Sequence, residues 1–191
     1  MTLPADVWAM VVLGLVLVAA AVTDLRSASV YNWTTYPAIA AGLIGHTLLG
    51  GMTGYGGQMG LTGALAGLAV GLLPMLAVWL MGGVGGGDVK LAAAVGALAG
   101  WRFTVATLFY GFIVAALMAI VMIVRRRIAV RTLKRIARFL FLLLTPSRPA
   151  DPATEDSPKV PFGVALCIGA ALAMLEVIVA GPEARKFLLG I

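Results

Sequence analysis

The sequence predicts an all-α membrane protein with about six transmembrane helices and one interfacial amphipathic helix. Of its 191 residues, 61% are hydrophobic and only 12% are charged, and the mean hydropathy is +1.03. The apolar residues are grouped in runs that approach the ~20 residues needed to cross a bilayer. A chain of this length fits one compact bundle, so we expect a single membrane domain over residues 1–191.

Six apolar runs are the candidate spans. They are Val7–Thr23, Thr34–Gly50, Gln58–Met81, Val89–Trp101, Phe103–Val124 and Pro161–Ala180. The fourth run would cover less than about 20 Å as a helix, which is shorter than a full hydrocarbon core. Such a helix is tolerated where neighbouring protein shields its ends. A tight turn at Trp101 and Arg102 is predicted to separate the fourth run from the fifth.

The basic residues predict the orientation. With the N-terminus outside, 11 Lys and Arg residues fall on the cytosolic side and 3 on the outer side, as the positive-inside rule requires. Arg125–Arg138 has a basic and an apolar face at helical spacing, which predicts a helix lying on the anionic inner leaflet. The Pro-rich stretch Thr145–Lys159 completes a predicted cytosolic loop over about residues 125–160. This clustering beside a span favours lipid headgroups over nucleic acid as the partner.

Two aspartates stand at the edges of the predicted spans. Asp24 ends the first span and Asp88 opens the fourth, so both are expected at the cytosolic edge of the bilayer. Two carboxylates held close tend to share one proton, so one can act as a base towards water and the other as an acid towards a carbonyl oxygen. This is the chemistry of an aspartic protease. The alternatives are proton or ion coupling in a small transporter, and helix capping without a catalytic role.

Asp88 lies in the segment MGGVGGGDVKL, directly after a run of glycines. Glycines leave room for a second backbone to approach and permit a hinge before the acid. A phosphate-binding loop would carry Lys and Ser or Thr after its last glycine, whereas Gly87 precedes Asp88 and Val89. The chain also has one cysteine and one histidine, Cys167 and His46. We therefore expect neither a metal nor a cofactor, and no Ser or Cys nucleophile with a histidine base.

The glycines and the aspartate resemble a known motif. Gly85-Gly86-Gly87-Asp88 matches the GxGD motif of intramembrane aspartyl proteases, and GGGDVKL looks like the form found in type IV prepilin peptidases. Lys90 matches the lysine of that form.

Two further segments carry the same resemblance. Thr23–Trp33 resembles the first-aspartate segment of these peptidases, with Asn32 matching the family's Asn but Val30 and Tyr31 replacing the usual Ile-Pro. Pro161-Phe162-Gly163, which opens the last span, is similar to a third family feature. The resemblance implies catalytic Asp24 and Asp88 and the substrate-binding or supporting residues Gly85, Gly87, Lys90, Asn32, Pro161, Phe162 and Gly163.

The resemblance implies a membrane aspartic endopeptidase. It would remove the leader peptide of prepilin-like precursors, such as type IV or Flp-type pilins or flagellin-like proteins, at the cytosolic face of the inner membrane. The chain reaches Asp24 within one helix and lacks the cysteine pairs of the larger, methylating members, so it resembles the short, peptidase-only form. The residues themselves leave two alternatives open, a small proton- or ion-coupled transporter and a non-catalytic membrane assembly factor. They leave the oligomeric state undetermined.

Overall fold

A computed structural model describes residues 7–27, 29–54, 58–125 and 161–179. This part of the chain is all-helical, as the sequence predicts. The helices are α1 (Val7–Ser27), α2 (Asn32–Gly50), α3 (Leu61–Leu80), α4 (Gly86–Arg125) and α5 (Phe162–Val179). The predicted interfacial helix and the basic, Pro-rich loop fall after Arg125, outside the residues that the structure describes.

Four of these helices, α1, α3, α4 and α5, are long and apolar enough to cross a membrane. The predicted count of six spans is not confirmed. The second predicted run forms α2, but it carries polar residues such as Thr34, Thr35 and His46 and is not among the four. The fourth and fifth predicted runs both fall within α4.

A single glycine interrupts α4. Gly100 has φ 78° and ψ 173°, which is not helical, and such a positive φ is readily available only to glycine. The predicted turn at Trp101 and Arg102 is wrong, because both residues are helical and the break lies just before them. The charge of Arg102 suggested the end of an apolar run. The helix is interrupted instead at Gly100, because glycine can adopt the positive φ found there.

The chain divides into two compact units. The second, residues 115–160, is described only over residues 115–125, which belong to α4. The first unit contains α1, α2, α3, α5 and residues 86–114 of α4. Within this unit, the part of α4 that follows Gly100 runs antiparallel to α5. Gly111 packs against Leu166 and Thr107 packs against Gly169, so residue numbers fall on α4 as they rise on α5.

The core of the first unit is the beginning of α4, where residues 91–100 are all buried. Small residues bring the helix backbones into contact. A Cβ built at Gly67 of α3 would collide with the carbonyl oxygen of Gly96, and one built at Gly96 would collide with that of Gly67. On the other side, a Cβ at Gly42 of α2 would lie 2.6 Å from the carbonyl oxygen of Ala97. Such close packing is typical of membrane helices, and it surrounds the short first part of α4 with protein.

Candidate active site

Asp24 lies in the last turn of α1, on the side of the helix that faces the core. The buried residues of α1 recur at helical spacing and end with this aspartate: Ala9, Leu13, Leu17, Ala20 and Asp24. One apolar stripe therefore carries a carboxylate into the bundle at its last position. The side chain of Asp24 is only 6% exposed.

The carboxylate of Asp24 caps the beginning of α5. The backbone N–H of Val164 donates a hydrogen bond of 2.9 Å to Oδ2 of Asp24. The first N–H groups of a helix have no partner within the helix, and the helix dipole favours an anion at this end. Asp24 supplies an acceptor for one of these N–H groups.

Asp88 occupies the first turn of α4, where it caps its own helix. The N–H of Gly85 donates to Oδ2 of Asp88 at 3.1 Å, and the N–H of Asp88 donates to the carbonyl of Gly85 at 3.1 Å. The bond to the Asp88 carboxylate is one half of a capping box, with the acid at the third helical position, and the other half is absent because Gly85 has no side chain. Asp88 is 8% exposed.

Gly163, at the start of α5, brings the two carboxylates together. The position that a Cβ would occupy at Gly163 lies 2.8 Å from Oδ2 of Asp24 and 3.0 Å from Oδ1 of Asp88. These two oxygens are therefore within about 6 Å of each other, the range over which like charges interact strongly. Only a residue without a side chain leaves both carboxylates in this arrangement.

The capping bonds use one oxygen of each aspartate. Both involve Oδ2, and no hydrogen bond among the described residues engages Oδ1 of Asp24 or of Asp88. Each carboxylate is thus oriented through one oxygen while the other remains for further contacts. Two buried carboxylates so arranged can share a proton and divide the roles of acid and base.

Lys90 and Asn32 contact each other beside this pair. Nζ of Lys90 donates to Oδ1 of Asn32 at 2.8 Å and lies 5.1 Å from the ring centroid of Tyr36. The space beside Gly87 is taken by the chain itself, because a Cβ there would lie 2.8 Å from the carbonyl oxygen of Val30. Val30, which lies in the connection between α1 and α2, therefore packs directly against the first turn of α4.

Pro161 and Phe162 begin α5. The carbonyl of Pro161 accepts the N–H of Ala165 at 3.3 Å, and proline is well suited to the start of a helix because it lacks the N–H that would be unpaired there. The ring of Phe162 is buried and lies 5.4 Å from that of Phe112. Both residues fix the position of Gly163, which follows them.

Two other polar residues lie away from the aspartates. Nε2 of His46 is 3.0 Å from the carbonyl oxygen of Leu98, and Oε2 of Glu176 accepts a hydrogen bond of 2.8 Å from the hydroxyl of Tyr110. Glu176 follows Gly163 on α5 by a distance of about 20 Å along the helix axis. The structure does not bring either residue to the aspartate pair.

Sequence reasoning placed neither Val164 nor Cys167 near the aspartates. The contribution of Val164 is a backbone N–H, which no side-chain pattern reveals. Cys167 is buried one turn after Gly163, and its Sγ donates to the carbonyl oxygen of Leu17 at 3.3 Å. Residues four apart share a face of a helix, so the spacing from Gly163 was the available signal. Over the described ranges, no three His, Cys, Asp or Glu side chains are grouped so that they could hold a metal ion.

Fold and site together define a helical membrane protein in which two buried aspartates from different helices converge. The family model for the type IV leader peptidase family matches residues 10–120. The chain therefore belongs to this family and is a membrane peptidase of the leader peptidase kind. Comparison with curated proteins and with solved structures gives no match. The matched residues include Asp24 and Asp88, whereas α5 and Gly163 lie beyond them.

Proposed function

We propose that this peptidase is an aspartic endopeptidase that removes the leader of prepilin-like precursors. The observation that carries the proposal is the convergence of Asp24 and Asp88 on Gly163, with both carboxylates buried and each held by a backbone N–H. The family supplies leader peptidase activity in general. The aspartic mechanism, the substrate and the side of the membrane are our inferences.

The proposed mechanism needs only water as co-reactant. One carboxylate removes a proton from water as the water oxygen attacks the scissile carbonyl carbon, and the other donates a proton to the carbonyl oxygen. The tetrahedral intermediate then collapses. Its C–N bond breaks, and the departing amine takes up the proton that the first carboxylate had accepted. As the C=O bond forms again, the second carboxylate recovers the proton that it had donated. The products are a carboxylic acid on the leader and a free amine on the mature protein.

The end of the bundle that holds the aspartates also carries exposed aromatic side chains. Trp33, Tyr36 and Trp79 are between 45% and 67% exposed, and such residues are enriched where a membrane protein meets the headgroups. This favours a site at the membrane surface, where a precursor's basic leader meets its hydrophobic helix. The excess of Lys and Arg in the loops predicted at the same end supports a cytosolic location for that surface. In a bacterial cell this corresponds to the inner membrane.

The test is cleavage of a prepilin-like precursor by the purified protein in liposomes. Asp24→Asn and Asp88→Asn are the decisive variants, because an amide oxygen can still accept the capping N–H while the group can no longer exchange a proton. We expect each to lose activity by at least about 100-fold while inserting and unfolding like the wild type. The product's new N-terminus is identified by mass spectrometry.

Glu176→Gln is the matched control, because it neutralises another carboxylate in the same bundle, away from the pair. It should keep most of the activity, and a chelator should not inhibit the wild type. Full activity in either well-folded aspartate variant would refute the aspartic mechanism. Absence of cleavage together with an Asp88-dependent ion flux would replace the peptidase proposal with transport.

A further inference from the structure

We propose that Lys90 is a positioning residue that fastens the connection following Asp24 to the helix that carries Asp88. The inference rests on the proposed function, because its purpose is to hold two catalytic carboxylates at a working separation. Lys90 would act through Asn32 and Tyr36 of α2, and not through contact with the substrate.

The first contact is polar and directional. Nζ of Lys90 donates to Oδ1 of Asn32 at 2.8 Å, which joins residues of α4 and α2 that lie 58 positions apart. The same ammonium group lies 5.1 Å from the centroid of the Tyr36 ring, within the range of a cation–π interaction. Asn32 and Tyr36 are four residues apart and therefore share a face of α2. Lys90 is thus held by two neighbouring groups of one helix.

A second contact to the connection between α1 and α2 is made by Gly87, about one helical turn before Lys90 on α4. At Gly87 the chain comes so close to Val30 that a Cβ would lie 2.8 Å from the Val30 carbonyl oxygen and 3.1 Å from its Cβ. Asp88 lies between Gly87 and Lys90 along the first turn of α4. The connection and the start of α2 therefore contact α4 both before and after Asp88.

The geometry explains why this attachment affects the pair. Asp24 lies in the last turn of α1, and only seven residues, 25–31, separate it from Asn32 in the sequence. Movement of Asn32 away from Lys90 would be transmitted to the end of α1. Since a displacement of about 1 Å can reduce a rate by about 100-fold, even a modest loosening is expected to lower turnover.

Two competing roles for Lys90 make different predictions. If its ammonium group bound an acidic group of the substrate, Lys90→Met would raise KM, and Asn32→Leu would have little effect. If it simply reached the headgroups, neither substitution would alter turnover. A positioning role predicts a lower kcat with unchanged KM in both variants.

The experiment combines a double-mutant cycle in activity with hydrogen exchange. Lys90→Met, Asn32→Leu and the double variant are each expected to lose about 10-fold in kcat, so the two losses should not add. In hydrogen-exchange mass spectrometry of the full chain in nanodiscs, the amides of residues 29–36 should exchange faster in all three variants than in the wild type.

Conservative substitutions test whether the contact itself matters. Lys90→Arg keeps a cationic donor, and Asn32→Asp keeps an acceptor and adds a charge opposite Lys90, so both should retain wild-type kcat and exchange. Arg26→Met is the control, because it removes a basic residue from the same end of the bundle but takes no part in the Lys90–Asn32 bond. It should leave kcat and the exchange of residues 29–36 unchanged.

The outcomes separate this inference from the proposed function. Unchanged exchange of residues 29–36 in Lys90→Met, or additive losses in the double variant, would overturn the positioning role even if the wild type cuts its precursor efficiently. If the wild type cut no prepilin-like precursor, the proposed function would fail and the positioning role, which rests on it, would fail with it. The exchange data would then report only whether the Lys90–Asn32 contact holds the connection.

Discussion

The backbone N–H of Val164 donates a hydrogen bond of 2.9 Å to the carboxylate of Asp24, 140 residues earlier in the chain. The bond joins the end of α1 to the beginning of α5 and satisfies a donor that a helix leaves unpaired. It also fixes one oxygen of Asp24 beside Gly163, where Asp88 arrives from α4. The last described helix therefore completes a site whose two acids come from earlier helices.

Gly163→Ala should remove activity without unfolding the protein. The added methyl group would lie 2.8 Å from Oδ2 of Asp24 and 3.0 Å from Oδ1 of Asp88. Carboxylates can rotate away at modest cost, so we expect the fold to persist while kcat falls by about 100-fold. Cleavage assays and thermal unfolding of the same preparation measure the two effects.

Gly14→Ala is the matched control for this substitution. Among the described residues, nothing beyond the adjoining stretch of α1 lies within 4 Å of a Cβ built at Gly14, and alanine is favoured over glycine in a helix by up to about 1 kcal/mol. Activity should stay at the wild-type level, and the unfolding temperature should stay equal or rise. Wild-type turnover in Gly163→Ala would mean that the carboxylates do not need the space at Gly163.

Gly67→Val should destabilise the bundle itself. Its side chain would press against the backbone of Gly96 and Gly100, which cannot rotate away. Overpacking of this kind costs about 1–3 kcal/mol or more, so the unfolding midpoint in detergent should fall clearly below that of Gly14→Ala. An unchanged midpoint would show that α3 and α4 can separate without loss of stability.

The Tyr110–Glu176 bond should contribute to stability and not to cleavage. Tyr110→Phe and Glu176→Gln are each expected to lower the free energy of unfolding by about 1 kcal/mol or less and to leave kcat near the wild-type value. Glu176→Gln keeps an amide oxygen that can accept from the Tyr110 hydroxyl, so it should lose less than Tyr110→Phe. The double variant should lose little more than Tyr110→Phe alone, because that variant already removes the bond. A kcat loss comparable to that of Asp24→Asn would give Glu176 a role in the reaction.

Labelling of single cysteines should place residues 145–159 in the cytosol. The native Cys167 is buried, so its background reactivity is expected to be low. An impermeant thiol reagent added to intact cells should label Met52→Cys, which lies between α2 and α3 and is 64% exposed at the wild-type methionine. It should label Ser157→Cys only in inverted vesicles. The opposite pattern would reverse the orientation and place the aspartates at the outer face.

The sequence by itself determined the helical class and the chemical character of the site. Long apolar runs have few ways to satisfy their backbone other than as helices. The isolated acids Asp24 and Asp88 were conspicuous because charge is costly in such surroundings. Local composition carries this information because each signal depends only on nearby residues. Asn32, Lys90 and Gly163 were indicated instead by the resemblance to type IV prepilin peptidases.

Only the tertiary structure decided how these residues meet. Helix packing brings Gly163 against both carboxylates and places the Val164 N–H on Asp24. It also shows that Lys90 contacts Asn32 instead of Asp88. The interruption in α4 lies at Gly100, whose positive φ is not helical, and not at the charged residue Arg102. Contacts between residues far apart in sequence depend on the relative placement of whole helices, and hydropathy and motif spacing along one chain do not encode that placement.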